Sequence, residues 1–204
     1  MNRDEAHQAL DLIRRVVTQA RDDSALQNWG VLWMLHAFTN ALGFAGTQWH
    51  WSQGQRAPGP YVLLWTLVLG FNAVSIFVLK RGQTAGARSF VERQIWAIWT
   101  TFIAGMVLVA LINWRLGFEL LFVPAVACVL FATAFSMMGA LMGREWFIVA
   151  AFFAAMSLVM TALPDQAFGV LGGLWFLVQF GGGLALHRAR MRRLASGARE
   201  ARLV

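Results

Sequence analysis

In the stretch WGVLWMLHAFTNALGFAG at 29–46, His36 and Asn40 stand one helical turn apart in a run otherwise apolar enough for lipid. Two chemistries are open to an imidazole and a carboxamide in that position. They line a small-ligand or proton site, since polar and ionisable groups inside spans often mark pathways. Alternatively they bond to neighbouring helices and fix register, with interhelical bonds averaging only about 0.6 kcal/mol each.

Trp29, Trp33, His36, Asn40, Gly43 and Thr47 recur at four- and three-residue steps and so share one helix face. That face should turn towards protein, because an unpaired polar group in hydrocarbon costs several kcal/mol. At ~1.5 Å per residue, His36 lies about 10 Å and Asn40 about 16 Å from the start of the run. The same count places Asn72 about 12 Å, Gln179 roughly 10 Å, and Thr100 and Thr133 about 8–9 Å from that boundary. A polar layer in one half of a helix bundle is expected, formed by His36, Asn40, Asn72, Thr100 and Gln179. Of these only His36 titrates near neutrality, and no acid stands at that depth to complete a proton relay.

A second group, His50, Arg56, Arg115, Glu119 and Asp165, carries nearly all the charge expected at the opposite membrane boundary. Arg115 and Glu119, four residues apart, form a local ion pair near a helix start or help line an outer pocket.

Enzyme chemistry finds no constellation, and no catalytic residue is assigned. His36 and His50 lie about 21 Å apart on one helix, and no two histidines face each other at one depth, which argues against a bis-histidine haem. There is no carboxylate pair, no nucleophile with an evident base and no phosphate loop. The single cysteine, Cys128, rules out an intrachain disulfide and a cysteine metal cluster. Neither a cofactor nor a metal is expected.

The elements that must carry these residues are membrane spans. Hydrophobic residues make up 58% of the chain and charged ones 13%, against about 25% charged in soluble domains. Apolar runs at 29–49, 60–79, 95–114, 118–141, 146–163 and 166–186 are each long enough to cross ~30 Å of hydrocarbon. The expectation is an all-α polytopic protein: a cytoplasmic amphipathic helix within 1–23, a six-helix bundle over 24–187 and a basic tail over 188–204. The first two dozen residues are charged and lack a signal-peptide core followed by a cleavage site.

Orientation follows from charge. All lysines and arginines except Arg56 and Arg115 fall in the two tails and in the loops after the second and fourth spans. Positive residues collect on the cytoplasmic side, so both termini should be cytoplasmic. This also accounts for the net charge of +7 without nucleic acid. Trp29, Trp96 and Trp146 would then ring the inner boundary and Trp49, Trp51, Tyr61 and Trp114 the outer one, with Trp175 inside the bundle.

Ala6, Leu10, Ile13, Val17 and Ala20 form one apolar stripe on a helix over 3–21. Four arginines among five acids over 1–28 make anionic lipid a weak attraction, so contact with protein, a second copy or a cytoplasmic partner, is favoured. Gly139-x-x-x-Gly143, Gly169-x-x-x-Gly173 and the Gly181–Gly183 run permit close helix approach, at a dimer face or in internal packing, the latter being commoner.

The segment FVPAVACVLFATAFSMMGALMGREWFIVAAFFAAM, with LPDQAFGVLGGLWFLVQF and the opening WGVLW, resembles a group of small six-span bacterial inner-membrane proteins with no assigned activity. The resemblance covers most of the chain through span order and Trp, Gly and Pro placement. It implies the architecture and a bacterial inner membrane, and no catalytic residue. The leading expectation is a non-enzymatic membrane protein acting by contact with itself or a partner. The alternative is a small transporter or ligand-binding sensor that uses the polar layer.

Overall fold

A computed structural model describes residues 29–81, 90–117 and 122–200. The helix expected over 3–21 lies outside them. Among the described residues the elements are α1 (Trp29–Ser52), α2 (Pro58–Lys80), α3 (Phe90–Leu116), α4 (Phe122–Met142), α5 (Glu145–Thr161), a 3-10 turn (Pro164–Gln166) and α6 (Ala167–Glu200). The helices stop where the sequence supplies stops. Gly117 ends α3 at φ 67° and Gly143 separates α4 from α5 at φ 140°, conformations costly for any residue with a Cβ. Pro58 and Pro60 open α2, where a missing N–H is harmless. Pro124 sits in the first turn of α4 and is absorbed there.

The four helical stretches Pro58–Leu79, Glu92–Leu116, Phe122–Met142 and Pro164–Ser196 are long and apolar enough to cross a membrane, as in a multi-pass membrane protein. The two other expected spans fall short by different routes. α5 is apolar but has 17 residues, about 25 Å against a ~30 Å hydrocarbon layer. α1 has 24 residues, and its His36, Asn40, Gln48 and His50 dilute its hydropathy. α6 continues without a break through the stretch expected as a tail, reaching Glu200.

α1 packs most extensively on α6, α4 on α5 and also on α3, and α2 on α1. The α1–α6 crossing is set by glycine. A Cβ on Gly30 would lie 2.6 Å from the Gly183 carbonyl oxygen, and one on Gly183 would lie 2.8 Å from the Gly30 oxygen. The two backbones therefore touch, the packing device of bundles in lipid. Gly139 is likewise consumed internally, against the Phe147 ring.

Between the helices lies a continuous aromatic core. Phe131 stacks on Trp175 at 4.2 Å and on Phe102 at 4.5 Å. Phe135 lies parallel to Trp146 and Phe153, and Trp33 stands edge-on to Trp99 and Trp146. Trp29 packs against Trp96 at 5.5 Å and is buried. Trp29, Trp96 and Trp146 thus pack ring on ring within the bundle instead of forming a lipid-facing belt. Trp175 is buried as its position suggested, whereas Trp49 and Trp114 stay exposed.

Candidate functional site

The face of α1 that carries His36 and Asn40 meets α2 on one side and α6 on the other, and polar side chains cross both junctions. The Thr39 hydroxyl donates to Asn72 Oδ1 at 2.5 Å, with the His36 carbonyl at 3.1 Å as a second acceptor. Asn72 Nδ2 donates to Asn40 Oδ1 at 2.9 Å, and Asn40 Nδ2 to Gln179 Oε1 at 3.1 Å. The result is an unbranched chain of bonds from α2 through α1 to α6. Beside it, the Ser75 hydroxyl donates to the Asn72 carbonyl at 2.8 Å. The Ser75 oxygen also stands 2.8 Å from His36 Nε2, in hydrogen-bond contact with the imidazole.

Asn72, Ser75 and Gln179 are buried, while His36, Thr39 and Asn40 are half-buried. Among the described residues, none of these six leaves a fully buried nitrogen or oxygen without a partner. Each carboxamide except that of Gln179 both gives and receives a bond. An arrangement of this kind fixes the relative height and rotation of three helices.

The structure brings together His36, Asn40, Asn72 and Gln179, but not Thr100. The Thr100 hydroxyl is exposed and bonds back to the Trp96 and Ala97 carbonyls of its own helix. Thr133 does the same to Val129. A β-hydroxyl on a helix always has such a carbonyl within reach, so matching depth does not oblige it to point inward. Thr39 and Ser75 were missed, although each carries a spacing signal: three residues after His36 and three after Asn72 respectively, on the same faces.

One further bond ties α1 to α2, from Trp65 Nε1 to Thr47 Oγ1 at 3.0 Å. Nearer the end of α1, Gln48 Nε2 donates to the Asp165 carbonyl at 2.6 Å and Gln48 Oε1 accepts from the Gly169 N–H at 3.0 Å. Gln48 thereby stitches the turn before α6 to α1.

The residues expected as an outer charge cluster are dispersed. Arg56 and Asp165 line one cleft with Trp51, Ser52 and Gly54. His50 packs its ring on Trp49 and Tyr61 instead. Arg115 is exposed at the end of α3, and Glu119 lies outside the described residues. The Arg56 guanidinium lies 3.6 Å from the centre of the Trp51 ring. The Tyr61 hydroxyl donates to the Gln55 carbonyl at 2.7 Å and holds the loop against α2. Among the described residues, no three His, Cys, Asp or Glu side chains converge on one point. No family model, curated protein or solved structure matches this chain.

Proposed function

We propose that the chain is a six-span protein of a bacterial inner membrane, with both termini cytoplasmic, that acts without catalysis through contact with itself or a protein partner. α1 completes the span count as a polar helix shielded by α2 and α6. α5 does so as a short helix whose ends draw the lipid boundary inward, a mismatch that membranes accommodate at modest cost. The likeness of the sequence to small six-span inner-membrane proteins points the same way.

The observation that carries the functional reading is the hydrogen-bonded chain that joins α2, α1 and α6. His36 meets Ser75, Thr39 and Asn40 meet Asn72, and Asn40 meets Gln179, while aromatic rings pack between the helices. A transport or sensing site would instead keep polar atoms free for its ligand. The working surfaces are then cytoplasmic. α6 has 34 residues, about 51 Å at full length, and so extends well past ~30 Å of hydrocarbon. Its final turns carry Arg188, Arg190 and Arg192, and the apolar stripe expected over 3–21 is the second such surface.

Deleting residues 2–22 tests this reading. The expected result is normal insertion together with loss of the self-association or partner capture seen by in-cell crosslinking of the intact chain. Unchanged crosslinking refutes it. Rapid modification of Asn72→Cys by a water-soluble thiol reagent would favour the transporter or sensor alternative.

A further inference from the structure

The cleft beside Arg56 and Asp165 is not used by the proposed function. Its volume is about 330 Å³, and its walls come from the end of α1, the following loop and the turn before α6. Arg56 is held in place twice. Its guanidinium stacks on Trp51, and one terminal nitrogen donates to the Trp51 and Gln55 carbonyls at 3.0 and 3.3 Å. Its remaining donors make no bond to a described residue. Asp165 is anchored through its main-chain carbonyl by Gln48, and its carboxylate likewise has no partner among the described residues. A pinned guanidinium and a carboxylate on an anchored stretch of backbone therefore line one cleft without pairing with each other.

Opposite charges that line one cleft without pairing suit a zwitterion that brings an anion to Arg56 and a cation to Asp165. The surroundings choose its source. Trp51, Trp49 and Tyr61 gather at this end of the bundle, and such aromatic residues favour the headgroup level. We propose that the cleft binds the headgroup of a phosphatidylethanolamine lipid, its phosphate on Arg56 and its primary ammonium on Asp165. A choline headgroup has no N–H for the carboxylate, and the aromatic face that attracts quaternary ammonium is already covered by Arg56. A phosphatidylglycerol headgroup also satisfies Arg56 but offers Asp165 only neutral hydroxyl donors, weaker partners for a carboxylate than an ammonium. The inference rests on the proposed topology, which puts this end of the bundle at the outer membrane boundary.

Native mass spectrometry of the full chain in detergent, with dioleoyl phosphatidylethanolamine, phosphatidylcholine or phosphatidylglycerol added in turn, tests the proposal. The expected result is preferential retention of phosphatidylethanolamine. Asp165→Asn, which keeps the carbonyl used by Gln48, should lower that retention about tenfold and bring it level with phosphatidylglycerol. Arg56→Gln should weaken both lipids. Equal retention of all three lipids by the native chain, or an unchanged preference in Asp165→Asn, overturns the proposal. Displacement by equimolar free O-phosphoethanolamine overturns the lipid assignment in favour of a soluble zwitterion. Labelling of Gln53→Cys in intact cells by an impermeant maleimide reports separately on topology, with Cys128 buried as a quiet background. Labelling only after lysis refutes the orientation and leaves the detergent result to be read by itself.

Discussion

Replacing Gly30 by alanine adds one methyl group at the point where α1 and α6 touch. The new Cβ would stand 2.6 Å from the Gly183 oxygen, 2.7 Å from the His187 nitrogen and 2.9 Å from His187 Cβ. Two of these neighbours are backbone and the third is a Cβ, so no side chain can swing aside. Carbon–oxygen contacts of this type rest at about 3.3–3.6 Å, so the helices must part by roughly 0.7–1 Å at the crossing. Overpacking of that size costs about 1–3 kcal/mol, a factor of roughly 5 to 150 in the folded population. The same movement strains the Asn40–Gln179 bond, which at 3.1 Å has little slack. Near-ultraviolet circular dichroism, which reports on the packed tryptophans, should show unfolding at lower SDS in mixed micelles. Gly173→Ala is the control, because nothing lies within 4 Å of its added Cβ and alanine gains about 0.8–1.0 kcal/mol of helix propensity. A Gly30→Ala midpoint at or above that of the native chain would refute the claim that backbone contact sets this crossing.

The same unfolding assay checks two further expectations, and proteolysis a third. An Asn40→Ala and Asn72→Ala double-mutant cycle should give a coupling of about 0.6 kcal/mol, and no more than ~1.7, with a value near zero showing that the bond contributes nothing. Thr100→Ala should change stability by less than about 0.5 kcal/mol, since its hydroxyl is exposed and bonded within α3; a larger loss would return it to the polar chain. Combining Thr47→Val, Asn72→Ala and Ser75→Ala should release α2 while the remaining helices stay packed, seen as protease cleavage in the 53–57 loop with little change in the tryptophan signal. Loss of the whole signal would show that α2 is integral to the bundle.

Helix existence was legible because each apolar run has a length and ends in Gly, Pro or charge. The number of membrane-crossing helices was less so. α1 and α5 are helices at the expected places, but one is diluted by polar residues and the other is short. In the polar chain, depth counting found His36, Asn40, Asn72 and Gln179 because large amides and an imidazole seldom face lipid. It misjudged Thr100 for the reason that sets threonine apart: a short hydroxyl satisfies itself on its own helix and leaves the face undetermined. The inward turn of Trp29, Trp96 and Trp146 was illegible, since an indole suits a lipid boundary and a packed core equally well. Arg56 and Asp165 are 109 positions apart in sequence, and the packing of α1 on α6, with the Gln48 bonds to the 164–169 segment, brings them to one cleft.

The helices are held by different forces, and α2 is the exposed case. Its main packing partner is α1, while Leu63, Leu67, Phe71, Val74 and Val78 all lie exposed. In lipid those residues supply no drive towards the bundle, because acyl chains are as apolar as they are. What distinguishes the α1-facing side of α2 is polarity and fit: Trp65 reaches Thr47, Asn72 bonds to Thr39 and Asn40, and Ser75 meets His36. These contacts lie on one face from Trp65 to Ser75, about 15 Å of helix. α4 and α5, by contrast, share buried rings such as Phe135 and Phe153 and a glycine contact at Gly139. The polar residues of α1 thus have a structural purpose that follows from the solvent. Where hydrophobicity cannot choose a neighbour, hydrogen bonds and ring shape must, and α1 is the helix whose side chains bond to both α2 and α6.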